Sequence, residues 1–595
     1  MKSSISITSP LAAAVVAINV KTGDEVNPTS TIAILESMKM QTTVTAQHTG
    51  TVINVYVESG ATIQAHTLIC ELELKAGESS DPTNSLPHQV DRTFEPLTQL
   101  QQRLHNTADD ARQQALAKRH AKGFRSAREN LTDLVDEDSF VEYGQLAIAA
   151  QRGRRDHSEL ITETAADGII TGIGQVNGSQ FDQARSKTAI AINDYSVLAG
   201  TQGYFHHKKL DRILDVAHKQ KLPIIMYTEG GGGRPGDTDV KITVAGLNVT
   251  SFSAWAALSG VVPRIAVNNG YCFAGNAALF GCADITIATQ KSYIGMAGPA
   301  MIEGGGLGSF KATEIGPIEV QSRNGVVDIV AEDEVHATQL AQQALSYFQG
   351  RSSQWQCNDQ TALNHAMPED RRFTYDIFKI IHTLVDSHSF LELQAGYGQA
   401  LITGFARIEG KPVALLCNQN KVLGGAIDSI AARKAAKFLS LCESFKLPVI
   451  ALGDTPGFMV GPESEAEGAV RHMSDLFIAG AKLSTPLISI FLRKGYGLGA
   501  MAMAGGGFLR PSMTVAWPTG EFGAMGLEGA IHLGFKKELA EISDLQQREA
   551  KFNQLVALSY DMGKATEAAA YLELDAVIEP ASSRKVILQV LAGVD

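Results

Sequence analysis

The sequence predicts a multidomain protein: a small all-β module, then a flexible tether, then a duplicated α/β domain. Three observations carry that prediction. Val16-Ala17-Ile18-Asn19-Val20-Lys21-Thr22-Gly23 recurs after 37 residues as Ile53-Asn54-Val55-Tyr56-Val57-Glu58-Ser59-Gly60. A looser repeat, spaced by 225 residues at two of its landmarks, runs through the rest of the chain. Between the two lies Lys75 to Pro87, without periodicity and rich in Gly, Ser, Asn and Pro.

Alternating apolar residues that end in a Gly turn read as strands. Two such copies in residues 1–74 imply a flattened barrel of near two-fold symmetry. Glu36-Ser37-Met38-Lys39-Met40 falls midway between the copies, which places Lys39 at a hairpin tip. Residues 75–95 form the expected tether. A linker of about 20 residues spans roughly 25 Å as a flexible coil and at most about 70 Å extended, a range that suits a domain moving between two sites. From Leu97 to Glu129 the pattern becomes helical and charged; strand-like runs, Gly-rich loops and helices then alternate to the end. Two halves, 96–350 and 351–595, match in order. Ser139-Phe140-Val141-Glu142 is echoed by Ser389-Phe390-Leu391-Glu392, and Ile169-Ile170-Thr171-Gly172 by Leu401-Ile402-Thr403-Gly404. Lys221-Leu222-Pro223 returns as Lys446-Leu447-Pro448, and Gly270-Tyr271 as Gly495-Tyr496.

A length of 595 residues exceeds one core. No apolar run approaches the roughly 20 residues that cross a bilayer. The N-terminus lacks the apolar core of a signal peptide, so a cytoplasmic location is expected. The net charge of −12 matches nucleic acid poorly. None of the six cysteines forms a Cys-x-x-Cys pair, which argues against a zinc ribbon. No metal, nucleic-acid or membrane partner is expected.

Each half carries glycine-rich loops after apolar strands, where backbone N–H groups can approach a ligand closely. They are Glu229 to Arg234 and Gly270 to Asn276 in the first half. The second half has Gly424 to Ala426, Asp454 to Phe458 and Arg493 to Ala500. None has the Gly-Lys-Ser/Thr ending of a phosphate loop or opens a dinucleotide unit, so no ATP site is visible. No Ser/His/Asp arrangement with elbow spacing occurs either; His472 at a helix start reads as structural.

Glu36-Ser37-Met38-Lys39-Met40 resembles the biotin carboxyl carrier pattern Glu-Ala-Met-Lys-Met, with Ser37 at the alanine position. The resemblance implies biotin on Lys39, with Met38 and Met40 read by a biotin protein ligase. Lipoyl domains share the fold but usually carry Asp-Lys-Ala, so biotin is favoured over lipoate. Further on stand His120-Ala121-Lys122-Gly123, Asp454-Thr455-Pro456-Gly457-Phe458-Met459-Val460-Gly461, Gly468-Ala469-Val470-Arg471-His472, Arg493-Lys494-Gly495-Tyr496-Gly497 and Ala516-Trp517-Pro518-Thr519. With these, residues 110–580 resemble the carboxyltransferase subunit of biotin-dependent acyl-CoA carboxylases, of the propionyl-CoA carboxylase β type.

That resemblance implies a biotinyl/lipoyl-like barrel followed by two crotonase-like (ClpP/crotonase) α/β domains. The first would bind a coenzyme A thioester and the second biotin, with active sites between opposed halves of two chains. A homodimer at least, up to a hexamer, follows. The implied reaction moves a carboxyl group from carboxybiotin on Lys39 to the α carbon of an acyl-CoA. Ala274 and Gly275 would hold the acyl oxygen, and Leu498 and Gly499 the biotin ureido oxygen. The repeat aligns Phe273 to Gly275 with Leu498 to Ala500. Gly457, Phe458 and Tyr496 fall on the biotin side; Gly231, Gly232, Arg234 and Met501 fall to the substrate. Arg234, Arg493 and Lys494 are candidates to meet CoA phosphates or a carboxylate.

Three departures fall on the substrate rather than the reaction. The usual Asp-Ser-Gly-Gly-Ala-Arg is Glu229 to Arg234 with four glycines here, a usual His is Gln321, and an Asp that accompanies propionyl-type substrates falls near Met501. A separate ATP-dependent biotin carboxylase is the implied partner. Two alternatives stay open: a decarboxylase subunit of a sodium-pumping complex, and a crotonase-like hydratase or isomerase whose carrier domain is only structural.

Overall fold

The computed structural model describes residues 3–75, 94–240 and 247–593. The chain divides into two compact units, Met1–Phe94 and Glu95–Asp595. Apart from Lys75, Phe94 and Glu95, the expected tether lies outside the described residues.

The first unit is two four-stranded sheets. One runs Ser4–Thr8, Leu68–Leu74, Gly50–Val55, Glu25–Val26; the other runs Met40–Thr45, Thr31–Ser37, Ala13–Ile18, Thr62–Ile63. Three strand pairs stand 37 residues apart, and Thr31–Ser37 and Leu68–Leu74 share the same burial pattern. The turns repeat too. Gly23 (φ 95°) donates its N–H to Val52 O at 2.8 Å, and Gly60 (φ 89°) donates to Val15 O at 2.7 Å. Both sit in the left-handed region that favours glycine. Val15, Ile32, Leu35, Val52, Ile69 and Leu72 fill the space between the sheets.

The second unit contains two sheets of matching design. In the first, the strand order is Val141–Tyr143, Ile169–Gln175, Lys187–Asn193, Ile224–Tyr227, Arg264–Asn268, Ile285–Thr289, Ile329–Ala331. In the second it is Leu391–Leu393, Leu401–Ile408, Lys411–Asn418, Val449–Thr455, Leu487–Tyr496, Met513–Ala516, Ala576–Val577. Each begins with antiparallel strands and continues in parallel. Parallel strands need crossover helices, and these are the apolar-faced Tyr204–Gln220 and Ser429–Ser444. One core joins the halves: Ile190, Ile225, Ile265 and Ile287 belong to the same buried cluster as Phe405, Leu416, Val449 and Phe438.

Each crossover helix also buries a lysine, a feature the sequence patterns do not announce. Lys209 Nζ donates to Ala166 O and Ile169 O, and Lys434 Nζ donates to Gln394 O at 2.9 Å and Leu401 O at 2.8 Å. Burial pulls both ammonium groups down to about 8. Between pH 8 and 10.5 the unfolded chain therefore binds more protons at these sites, and their contribution to stability rises with pH. Urea unfolding at pH 7.5 and 10 is expected to show wild type gaining about 1–3 kcal/mol over Lys434→Met across that interval.

Candidate functional site

The first site is the hairpin tip. Ser37 pairs with Met40 across the strands, leaving Met38 and Lys39 as a two-residue turn. Their φ values are 50° and 66°. Positive φ at both places is the tight hairpin geometry usually given to Asn-Gly, and it costs about 1 kcal/mol at each L-residue. Met38 is 95% and Met40 73% exposed, with exposed Lys39 between them. An amine held out on a rigid tip between two uncovered thioethers suits an enzyme that must grip the tip and acylate the lysine.

The second site is the pair of glycine loops at the carboxyl ends of the central parallel strands, where open α/β sheets bind ligands. Through the second parallel strand the halves keep the 225-residue offset. Ala189 pairs with Ile224 and Ala414 with Val449; Gln202 N–H donates to Gly232 O, and Ile427 N–H to Gly457 O. At the next strand the offset becomes 223, because Ile224 pairs with Arg264 while Val449 pairs with Leu487. Phe273 pairs with Gly295 and Tyr496 with Gly523, which sets Ala274 (φ 51°) against Gly497 (φ 56°). The sequence alignment of Phe273 to Gly275 with Leu498 to Ala500 is thereby corrected. Gly275 matches Leu498, and Asn276 matches Gly499.

This changes which N–H groups are left without a partner. Ala274 N–H already donates to Gly295 O at 3.0 Å, so it is not a free donor. Gly275 and Leu498 lie in the first turns of the helices Gly275–Gly281 and Gly497–Met503, whose N–H groups have no partner within the helix. Facing them are the loops with Gly233 and Phe458, equivalent by the 225 offset; neither N–H donates to an atom among the described residues. The loops touch closely. A methyl group on Gly232 would fall 2.8 Å from Ala274 Cβ and 3.8 Å from Gly275 N, and one on Gly499 would fall 2.6 Å from Gly457 C and 3.0 Å from Phe458 N.

The four glycines have a steric cause. Asn276 Oδ1 accepts from Gly232 N at 3.0 Å, and a methyl on Gly230 would fall 2.2 Å from Asn276 Nδ2. Where the second half packs Gly499 directly on Gly457, the first inserts an amide, and the facing loop gives up its side chains to hold it. Gly231 adds a close approach to Thr201, whose Cγ2 lies 3.2 Å from where a methyl would stand.

A buried ion pair anchors each loop. Arg119 binds Glu229 at 2.5 Å, and Arg493 binds Asp454 at 2.9 Å. Burial pushes the Glu229 carboxyl up, and the Arg119 guanidinium opposes it. Arg234 differs from expectation. Its guanidinium is 3% exposed and is spent on Asp167 and the Thr201 carbonyl, so it braces the loop and leaves no fork for a phosphate. Arg493 is likewise consumed by Asp454 and the carbonyls of Arg371 and Phe373, and Lys494 Nζ donates to Gly424 O. Tyr496 is buried with its hydroxyl unpartnered; burial and then Glu521 push its phenol up.

Met501 lines a cavity of about 380 Å³ together with Phe508, Phe522, Met562 and Tyr571 and with the carboxylates Glu567 and Glu573. An aspartate at that position would replace an apolar wall of this cavity with a third carboxylate. Leu498 is 60% exposed, and exposed Val460 and Met296 stand next to the two loops. Gly233 and Asn276 lie within glycine loops that the sequence marks without singling them out, and Gln202 is marked by nothing in the sequence. The run of four glycines was the one available signal, since it shows that something bulky faces it.

Residues 118–592 match the family described as Carboxyl transferase domain, and residues 5–72 match Biotin-requiring enzyme. The methylmalonyl-CoA carboxyltransferase 12S subunit of Propionibacterium freudenreichii subsp. shermanii is 31% identical over 487 residues, covering 80% of this chain and 89% of that protein. A solved single-chain, multi-domain long-chain acyl-CoA carboxylase superposes with a TM-score of 0.81 at 47% identity over 99% of this chain. The chain spans 56% of that carboxylase's length. The transcarboxylase 12S hexamer with methylmalonyl-CoA bound superposes with a TM-score of 0.73 at 29% identity, covering 86% of this chain and 96% of that one.

Proposed function

This chain belongs to the carboxyl transferase family and is a biotin-dependent carboxyltransferase joined to its own biotin carrier, and on that premise we propose that it moves a carboxyl group between biotin on Lys39 and the α carbon of a long-chain acyl-CoA. The observation that carries the reading is the duplicated pair of loops, each offering one N–H from a loop and one from a facing helix start. Gly233 and Gly275 hold the thioester oxygen, and Phe458 and Leu498 hold the ureido oxygen. Fixed donors aimed where charge develops are effective because they need no reorganisation during the reaction.

The hairpin tip fits biotin, since Lys39 is exposed on a rigid turn between Met38 and Met40. When bound, biotin supplies the ureido nitrogen that carries the carboxyl group and takes up the α proton. The chain's residues then orient the two partners and stabilise the two oxygens, and no side-chain base is required. The likeness to a long-chain acyl-CoA carboxylase supports a long acyl group, and Met501 gives the neighbouring cavity an apolar wall. Burying a tail contributes about 0.8 kcal/mol per methylene. Met501→Asp is expected to lower kcat/KM for a long-chain acyl-CoA by about 10- to 100-fold and to spare propionyl-CoA. Steady-state rates on an acyl-CoA panel check this.

A biotin carboxylase acting in trans charges the carrier with ATP and bicarbonate, a biotin protein ligase attaches the cofactor, and the protein works in the cytoplasm. Pairs of chains oppose the first half of one to the second half of the other, covering Met296, Val460 and Leu498. No helix among the described residues is long and apolar enough to cross a membrane. Carboxyl transfer is favoured over the decarboxylase and hydratase alternatives by the family matches. The test is intact mass with avidin capture, then the acyl-CoA panel with and without added biotin carboxylase. ATP-driven turnover without that enzyme would contradict the role of the partner.

A further inference from the structure

Gln202 lies between the two loops of the first half. Its backbone N–H donates to Gly232 O at 2.8 Å and its carbonyl accepts from Arg234 N at 2.9 Å, so it is stitched to one loop. Its side chain meets the other. A methyl on Gly275 would fall 2.3 Å from Gln202 Oε1 and 3.1 Å from Phe252 Cζ. The residue is 4% exposed, and Nε2 is buried without a hydrogen-bond partner.

The fold does not require a polar group here. Ile427 occupies the equivalent place in the second half, with the same backbone bonds to Gly457 and from Met459. An unpaired buried amide N–H is destabilising, and of these two equivalent positions it stands at the one in the half assigned to the thioester. Half a turn about the last side-chain bond exchanges Nε2 and Oε1. That rotation sets the NH₂ beside Gly275 and leaves a carbonyl in the buried place, where the lack of a partner is better tolerated than for N–H.

We propose that the Gln202 carboxamide donates to the thioester oxygen as a third donor, alongside the N–H groups of Gly233 and Gly275. This rests on the reading that the first half binds the acyl-CoA. As the α carbon gives up its proton, charge moves onto the thioester oxygen, and the added donor stabilises that charge. The second half, with Ile427, has two donors for a ureido oxygen that carries charge of a different origin.

The experiment uses the full, biotinylated chain and follows carboxyl transfer from a 2-carboxyacyl-CoA to biotin. Gln202→Met keeps the volume and removes the donor. Its kcat is expected to fall by about 10²-fold, with KM little changed and a thermal midpoint equal to or above that of wild type. Gln202→Glu places a carboxylate beside the developing charge and is expected to be slower still at pH 8. Below about pH 6 the carboxyl is neutral and donates again, so this variant regains rate relative to Gln202→Met. Wild-type kcat in Gln202→Met, or a loss in both variants with no regain at low pH, overturns the proposal. Wild-type protein that transfers nothing overturns the carboxyl-transfer reading itself, and this role with it.

Discussion

Lys39→Arg is expected to abolish biotin attachment and, with it, the complete carboxylation cycle. Arginine keeps the charge and most of the length, but its guanidinium stays protonated and does not act as the acylated amine. The variant should escape avidin capture, and ATP-driven carboxylation in the presence of a biotin carboxylase should drop by at least about 10³-fold. Stability should change by less than about 0.5 kcal/mol, because Lys39 is an exposed turn residue with no core contact. Transfer to free biotin should persist, since the glycine loops are unchanged. Retained turnover with acyl-CoA would return the carrier to a structural role and favour a hydratase-type reading.

Gly499→Ala is expected to cost about 10²- to 10³-fold in kcat, the range for loss of one oxyanion donor. The added methyl meets Gly457 C at 2.6 Å, Gly457 Cα at 2.7 Å and Phe458 N at 3.0 Å, all of them main chain. That backbone cannot retreat freely, because Gly457 O and Met459 N are both bonded to Ile427. The loop and helix start are therefore forced apart, and the Phe458 and Leu498 donors no longer converge. Alanine favours helix over glycine by about 1 kcal/mol, so a lost helix would not explain a lower rate. Gly275→Ala makes the contrast. Its methyl meets side chains instead of main chain, and the Gln202 carboxamide that it displaces is the proposed third donor, so a loss of about 10²-fold, like that of Gln202→Met, is expected. Transfer rates for both variants, measured beside their thermal midpoints, decide the comparison.

Much of the carrier was legible in the sequence because its symmetry is local. A 37-residue repeat ending in Gly23 and Gly60 dictates matched strands and turns, and it leaves Lys39 at the only place midway between them. The duplicated domain was legible as far as its second parallel strand. Beyond it, Gly270-Tyr271 and Gly495-Tyr496 look equivalent, yet they stand two residues out of register. The connecting segments differ, with Ser251–Ala257 in one half and Ala469–Lys482 in the other, and only strand pairing shows the shift.

The polar scaffolding of the site was not legible. Arg234 reads as a ligand for an anion, but Asp167, 67 residues away, already takes its guanidinium. Asn276, in the first turn of a helix, and Gln202, in a loop, are neutral amides and leave no periodic trace. Their importance depends on what they face: Gly230 and Gly232 for one, Gly275 for the other.

The central claim is that one chain both carries the carboxyl group and delivers it. Incubating the biotinylated chain with an acyl-CoA bearing a labelled 2-carboxyl group, with no ATP and no partner enzyme, tests this most directly. Label should appear on protein captured by avidin, be absent from Lys39→Arg, and return to CoA thioester when unlabelled acyl-CoA is added. Fully biotinylated wild-type protein that never acquires the label would contradict the account.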